Sequence, residues 1–585
     1  MFLITTADTR TWKYDEKVLF LGEWCRRYSL RAQWQAMDHE ILPFHWDDRA
    51  RLERDYRYLT GVIERYLAVL TERLNVIHGT DFPLRYWRIV IGPWLAFFVE
   101  SLFDRYLSIR MAIDAGATAV WCVGAETGTW LPRDFAHFNQ LFVTDGWCQY
   151  IYTYLLGELG GVERSFVDHD SPPVSQEKKG SLRRGVNVVL GLYARLIPPK
   201  LNRVCMVTSY FPLHSQITLQ LRLGQLPYVG VADVPLPHVD LAAEMRAGLD
   251  ALPAEGEFER VLGRLLPLQM PIAYLEGYAE LRKCALAAYP RSPRLIYSAN
   301  AWFGNEAFKL WAAEQAVQGA KLVCAQHGGH FGMGRIARYE HLQVSLSDCF
   351  GTWGWQGAGG KAQYLPAGKL VAARKHIRPI PRGKVLWVLA AIPRYSYHLY
   401  SIPVAGQFNG YLDDQIRFAG ALDDSVRNDL AIRLHHLDYG WDVTDRLADA
   451  GLGALLDQQA KPFHRVLRES RLCVSTYNAT TYLETLAANF PTMIFWEPSH
   501  WELRASALPF FEVLKEVGIF HTSPESAALF LNNIQDSVEQ WWCSTDVQQA
   551  RRHFVSEYAR LDSDWKNQWL AGVKSILNEP PPSTL

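Results

Sequence analysis

Residues 326–334, QHGGHFGMG, concentrate glycines and histidines directly after the apolar run KLVCA. Consecutive glycines allow a backbone nest that binds an anion, and a histidine here offers a hydrogen-bond donor or a group for proton transfer. A glycine-rich turn without any ligand is the alternative. A P-loop is excluded, because no G-x-x-x-x-G-K-[ST] occurs. The turn supplies one predicted catalytic residue and three predicted binding residues: His327, then Gln326, Gly328 and Gly329.

Small polar residues follow the predicted strand at 472–474, in VSTYNATTYLE. A helix is predicted to start near Thr481, and its free N–H groups and dipole favour an anion at this end. Glu484, one turn into that helix, would reach a ribose hydroxyl. Ordinary capping by Thr480 or Thr481 is the alternative. The predicted binding residues of this group are Ser475, Thr476, Asn478, Thr480, Thr481 and Glu484.

Three residues able to carry positive charge end another predicted strand, in IRLHHLDYGW. Arg433 supplies a planar fork of donors that suits phosphate or carboxylate. His435 and His436 would add further donors. A solvated loop with surface histidines is the alternative.

Acidic residues lie near several predicted strand ends, and a base or nucleophile for transfer of a sugar requires such a group. Glu23 and Glu306 are the predicted catalytic carboxylates, and Glu23 directly follows a buried run. The alternative for each acid is a cap or an ion pair. The other acids of this kind are Asp47, Asp48 and Asp348.

The elements that must position these residues alternate between strand and helix, which predicts an α/β fold with mostly parallel sheets. Two Rossmann-like units are expected, 1–375 and 376–585, joined by the connector IRPIPRGKV. Apolar spacing of three and four residues predicts a large helical insertion at about 30–160 in the first unit. Ligands bind beyond the carboxyl ends of parallel strands, so the cleft between the units is the expected site.

The composition excludes several classes of protein. A net charge of -1 offers no basic surface of the kind that nucleic acid requires. The nine scattered cysteines form no C-x-x-C pair and suit a reducing cytoplasm. The N-terminal segment MFLITTADTRTW does not read as a signal peptide. The stretch IVIGPWLAFFVESLF is broken by Gly92 and Pro93, and the basic stretch at 175–203 predicts a solvated loop or contact with a membrane surface.

Several of these segments together resemble a bacterial transferase family encoded in O-antigen and surface-polysaccharide gene clusters. The resemblance spans about residues 3–577. A weaker similarity to the Kdo transferases implies CMP-activated ulosonic acids as one donor class. Those enzymes have a His-Pro pair where this chain has His435-His436. The segments that carry the resemblance are LITTADTRTW, VLFLGEWC, HWDDR, RYWRIVIGPWL, AQHGGHFG, IRLHHLDYGW and STYNATTYLETLAANFPTMIFWE.

The resemblance implies a GT-B-like architecture and transfer of a sugar from a nucleotide sugar to a surface glycan. The acceptor would lie mainly on the first unit and the donor on the second. No metal or other cofactor is expected, because helix N-termini and basic side chains stabilise the leaving phosphate in that architecture. We expect a cytoplasmic protein, with peripheral contact to the inner membrane. The alternatives are a sugar-nucleotide epimerase on the same scaffold and a non-catalytic scaffold of a glycan-assembly complex.

Overall fold

Three five-stranded, all-parallel sheets form the framework of the protein. The computed structural model describes residues 1–124, 128–167, 197–230, 234–357, 360–373, 377–457 and 461–579. The predicted α/β class with parallel, Rossmann-like sheets is confirmed. The alternation of elements indicated two sheets, and the structure has three, because the N-terminal strands form a sheet of their own.

The first sheet has the strand order β3-β2-β1-β4-β5. Its strands β1 and β2 are apolar runs in which every residue is buried, so hydrophobic burial stabilises them although each has only three residues. The strands are β1 (Phe2–Ile4), β2 (Val18–Phe20), β3 (His39–Ile41), β4 (Ala119–Val123) and β5 (Glu163–Val167).

The predicted helical insertion lies between β2 and β5. Its longest helix, Arg49–His78, begins at Asp48, whose carboxylate accepts the amides of residues 50 and 51, and ends at Gly79 in the left-handed conformation. Asp48 is therefore a helix cap. The helices of this part are Arg31–Trp34, Arg49–His78, Leu84–Val90, Gly92–Asp114, Phe135–Leu141 and Asp145–Leu159.

The second sheet has its strands in chain order, from β6 at one edge to β10 at the other. The strands are β6 (Val204–Val207), β7 (Leu295–Ser298), β8 (Lys321–Ala325), β9 (Cys349–Thr352) and β10 (Ala362–Tyr364). The accompanying helices are Leu213–Arg222, Ala243–Ala247, Glu257–Gln269, Tyr278–Ala288, Glu306–Val317, Arg338–Leu346 and Gly368–Ala373.

The third sheet has the order β12-β11-β13-β14-β15. The predicted boundary at 375–376 falls between β10 and β11, and the assignment of domains stays a prediction. The strands are β11 (Lys384–Val388), β12 (Leu430–Arg433), β13 (Ser470–Ser475), β14 (Thr492–Phe495) and β15 (Phe520–His521). The helices are Phe408–Gly420, Asp424–Arg427, Val443–Asp449, Phe463–Arg468, Thr480–Ala487, Leu508–Glu516, Pro524–Ile534, Val538–Trp542, Thr545–Tyr558 and Trp565–Asn578.

The last helix, Trp565–Asn578, returns to the second sheet. Trp569 and Val573 are fully buried in a core that they share with β6 and β7. Lys321 at the start of β8 donates to the carbonyl of Ile576 at 2.6 Å. The tail of the chain therefore ties the second and third sheets together.

The loop that follows β11 is clamped to the helical part of the N-terminal region by buried ions. Arg394 of this loop lies 2.7 Å from Asp145. Glu100, fully buried, pairs with Arg338 at 2.6 Å and accepts the amide of Leu399 at 2.9 Å. Buried pairs of this kind cost several kcal/mol when one partner is removed, so they fix the position of the loop.

No helix within the described residues is long and apolar enough to cross a membrane. The basic stretch that the sequence analysis singled out falls mostly at 168–196, outside the described residues.

Candidate functional site

The glycine turn after β8 packs directly against the loop after β13. The amide of Gly329 donates to Oγ1 of Thr480 at 3.0 Å. A Cβ atom on Gly329 would lie 2.1 Å from the carbonyl carbon of Ala479, far inside van der Waals contact. Gly329 therefore lets the backbones of the second and third sheets touch at their carboxyl ends. These are the strand ends at which the sequence analysis expected a shared cleft.

The helix Thr480–Ala487 begins at this contact with an open N-terminus. Ala479 occupies the capping position, and no side chain caps the helix. The alternative, capping by Thr480 or Thr481, does not occur: Thr480 accepts from Gly329, and Thr481 shares a 2.7 Å hydrogen bond with the hydroxyl of Tyr477. Within the described part of the chain, the amides of the first turn have no acceptor. This end of the helix can take an anion.

His327 stands at the start of the glycine turn, next to the amide of Gln343, whose Nε2 lies 3.0 Å from its Nδ1. Burial, with a further contribution from the charge of Lys369, lowers the pKa of His327 to about 3. The ring is therefore neutral at pH 7, and it also hydrogen-bonds the backbone of Ala299. Gln326 holds the turn from within, because it donates to the carbonyl of Gly328 at 2.9 Å and accepts from the amide of Trp353 at 3.0 Å.

Lys369 is a site residue that the sequence analysis missed. It projects from the helix Gly368–Ala373, beyond β10 of the second sheet. Its Nζ lies 3.4 Å from the carbonyl oxygen of His327, 4.0 Å from the carboxylate of Glu484 and 5.7 Å from the ring centre of Tyr210. Burial raises the pKa of Glu484. The ammonium group therefore lies between the two sheets, and its ion pair with Glu484 is a long one of 4.0 Å.

Arg433 and Ser475 end the two strands that flank β11 in the third sheet, because each pairs with Val388 from one side. The guanidinium of Arg433 is engaged with Asp457 at 2.6 Å. His435 and His436 are exposed, and their ring centres lie 4.1 Å apart. The two histidines therefore face solvent beyond the end of the strand.

Three polar residues after β13 are fully buried. Thr476 donates to the carbonyl of Val388 at 3.1 Å and also bonds Tyr411. Asn478 accepts from the hydroxyl of Tyr482 at 2.8 Å. The hydroxyl of Ser475, in contrast, has no hydrogen-bond partner among the described residues. Ser475 is therefore the one of the three whose hydroxyl is buried without a partner in the described part of the chain.

The two predicted catalytic carboxylates are both held in ion pairs. Glu23 contacts Arg26 at 2.7 Å and accepts from Asn409 at 3.3 Å. Glu306 is buried 2.8 Å from Lys309, and it also accepts from the hydroxyl of Tyr274 at 3.1 Å. Burial raises the pKa of Glu306. Of the two, only Glu23 lies where the first and third sheets meet.

Two other predicted acids also have structural partners. Asp348 pairs with Arg85 at 2.6 Å and accepts the amide of Leu322 at 2.8 Å. Asp47 accepts from the amide of Gln407 at 3.0 Å. Both carboxylates therefore stabilise the fold locally.

Strained backbone gathers at these strand ends. Tyr210 follows β6 with a φ of 60°, His330 follows β8 with 57°, and Tyr439 follows β12 with 56°. Residues other than glycine adopt such angles at a cost, and they cluster at binding and catalytic sites. The strain therefore marks the same edge of the sheets as the polar groups. Among the described residues, no group of three His, Cys, Asp or Glu side chains could hold a metal ion.

Residues 1–572 match the LIC12162 family transferase. The chain belongs to that family. The family relationship shows a transferase and covers nearly the whole sequence. No curated protein matches the chain.

Three solved structures resemble the chain distantly. The wall teichoic acid polymerase TagF is 12% identical, with a TM-score of 0.31 over 68% of this chain and 98% of that one. WaaG, a glycosyltransferase involved in lipopolysaccharide biosynthesis, is 10% identical, with a TM-score of 0.27 over 64% and 100%. The O-GlcNAc transferase of Thermobaculum terrenum is 10% identical, with a TM-score of 0.33 over 84% and 89%.

Proposed function

We propose that this transferase is a GT-B-like, metal-independent glycosyltransferase that moves a sugar from a nucleotide sugar to a surface-glycan acceptor. The observation that carries the proposal is the contact of Gly329 with Ala479 and Thr480, at the carboxyl ends of two parallel sheets. Small-molecule sites of parallel α/β sheets lie beyond those ends. The acceptor would enter from the side of the N-terminal region.

The phosphate of the donor would bind at the open N-terminus of the helix Thr480–Ala487. The first-turn amides, the hydroxyl of Ser475 and the ammonium of Lys369 supply donors and positive charge there. Such fixed groups stabilise the charge that develops on a leaving phosphate, so no metal is needed. Arg433 would add charge at the edge of this site, and Glu484 would hold the ribose.

His327 is the proposed base of the reaction, since Glu23 and Glu306 are both neutralised by cations. The acceptor hydroxyl would attack the anomeric carbon, the bond from that carbon to the phosphate oxygen would break, and the hydroxyl proton would pass to His327. The low pKa of His327 depends partly on Lys369. A phosphate paired with Lys369 would offset that charge and raise the pKa, while burial, the larger cause of the low value, would remain.

A thermal-shift panel of CMP-, UDP-, GDP- and dTDP-linked sugars tests the proposal. A CMP-linked ulosonic acid belongs in the panel because the family resemblance implies this donor. One nucleotide series should stabilise the protein through linkage. The absence of a thermal shift with all four nucleotide series would favour the alternative of a non-catalytic scaffold.

Product analysis then tests transfer. A glycosyltransferase should consume its donor productively only when a glycan acceptor is present. Conversion of the donor into an isomeric nucleotide sugar without any acceptor would instead establish an epimerase.

The proposal also includes the place of action. The protein would work in the cytoplasm, where nucleotide sugars are made, and reach lipid-linked acceptors at the inner face of the membrane. Flotation with anionic vesicles would measure that contact.

A further inference from the structure

Four tyrosines, one from the helix Arg338–Leu346 and three from the loops after β11 and β12, lie together with one buried histidine beside the glycine turn. The ring of His398 stacks on Tyr400, with centres 4.2 Å apart, and meets Tyr397 and Tyr339 edge to face at 4.0 Å and 4.8 Å. Tyr439 lies close enough to raise the pKa values of the other three phenols, which burial already raises. We call Tyr339, Tyr397, Tyr400 and Tyr439 the tyrosine cluster.

The tyrosine cluster lies at the edge of the main hydrophobic core, and Tyr339, Tyr397 and Tyr400 pack against that core. Each of its four rings is partly exposed, whereas His398 behind them is 2% exposed. The hydroxyls of Tyr397 and Tyr400 lie 3.3 Å apart. One face of Tyr397 is stacked on Phe142 and one face of Tyr400 on His398, so a ligand would contact the remaining exposed parts of the rings.

Hydrogen-bonding capacity without a protein partner is concentrated here. Both ring nitrogens of His398 and Nε2 of His330 are buried and have no partner among the described residues. His330 also lies in the left-handed conformation and contacts Tyr400, with ring centres 5.6 Å apart. Buried polar atoms are costly when left unsatisfied, so a ligand or ordered water is expected to bond them.

The cationic groups beside the tyrosine cluster are already neutralised by acids. Arg338 pairs with Glu100 at 2.6 Å, and Arg504 pairs with Glu340 at 2.7 Å. A carboxylated ligand would therefore find both of these arginines already paired with acids.

The cluster adjoins the proposed reaction centre. The ring of Tyr339 lies 6.1 Å from the ring of His327. A group held against Tyr339 would thus lie close to His327.

We propose that the tyrosine cluster is a subsite for an uncharged hexopyranose ring of the saccharide substrate. This proposal rests on the proposed glycosyl transfer. The apolar face of a sugar ring stacks on aromatic rings. Its hydroxyls would bond the phenol groups and the free nitrogens of His398 and His330. The proposal narrows the substrate to neutral sugars and sets aside the ulosonic acids that the family resemblance implies.

Saturation-transfer NMR of the full chain with simple glycosides tests the subsite without knowledge of the nucleotide. The probes are methyl glycosides of glucose, galactose and N-acetylglucosamine, and a methyl glycoside of a ulosonic acid. The variants are Tyr397→Phe and Tyr400→Phe, which remove one hydroxyl and keep the ring. Tyr106→Phe is the control, because Tyr106 is also partly buried and its hydroxyl bonds Glu257 far from the cluster.

At least one neutral glycoside should bind, and Tyr397→Phe or Tyr400→Phe should weaken it about five-fold, the effect of one lost neutral hydrogen bond. Tyr106→Phe should change nothing. Tighter binding of the acidic glycoside, no binding of any glycoside, or equal affinities in all variants would overturn the subsite. Failure of the proposed function would be visible separately, as the absence of thermal stabilisation by every nucleotide sugar.

Discussion

Replacing Gly329 by alanine is the sharpest perturbation of the contact between the second and third sheets. The new Cβ atom would lie 2.1 Å from the carbonyl carbon and 2.3 Å from the carbonyl oxygen of Ala479. Neither backbone can yield without moving its strand-end loop. Overpacking costs about 1–3 kcal/mol, and loss of the hydrogen bond from Gly329 to Thr480 costs about 0.5–1.5 kcal/mol more. We expect a loss of about 2–4 kcal/mol.

The neighbouring glycine provides the matched control. A Cβ on Gly328 would meet Oγ1 of Thr480 at 3.4 Å, an ordinary contact, and Gly328 has no left-handed φ. Chemical denaturation and thermal melting of Gly329→Ala and Gly328→Ala should therefore separate the two variants, with only the first strongly destabilised. Equal stability of the two variants would refute the proposed contact between the sheets.

Four further predictions follow from the site and its supports. Lys369→Ala should weaken calorimetric binding of the donor by about ten-fold or more, the loss of one charged hydrogen bond. Arg433→Ala should weaken donor binding by a similar factor, whereas Asp457→Asn should leave the donor affinity unchanged. If both variants weaken donor binding equally, Arg433 serves only as the ion-pair partner of Asp457. Arg394→Met should lower the free energy of unfolding by about 3 kcal/mol, because it leaves a partly buried carboxylate unpaired. The free energy of unfolding should fall as the pH drops from about 6.5 towards 3. The cause is that His327 and three further histidines with pKa values of about 4 bind protons in this range only when the protein is unfolded. A free energy of unfolding that stays constant across this pH range would contradict the prediction.

The main elements of the site could be predicted from the sequence because they depend on local patterns. An apolar run followed by glycines predicts a strand end, and small polar residues before an apolar period predict a helix N-terminus. Both lie where those patterns place them. Their contact could not be predicted in detail, because Gly329 and Ala479 are 150 positions apart and only tertiary packing joins them.

Other features left no local signal. Lys369 is a single lysine in the stretch LPAGK, and nothing in its neighbours distinguishes it from a surface lysine. Gln326 was predicted to bind substrate, but its amide is taken up by the turn. The ion pair between Glu306 and Lys309 could have been predicted from the sequence, because residues three apart in a helix lie side by side and opposite charges at that spacing attract. The separate N-terminal sheet was hidden by the brevity of its strands.

Hydrogen–deuterium exchange with a stabilising nucleotide sugar is the most direct test of the central claim that two sheets share one site. Bound donor should slow exchange at residues 326–334 and 475–484 in the same experiment, and the effect at 475–484 should be lost in Lys369→Ala at equal donor concentration. Protection confined to one of these segments, or located elsewhere in the chain, would contradict the shared site.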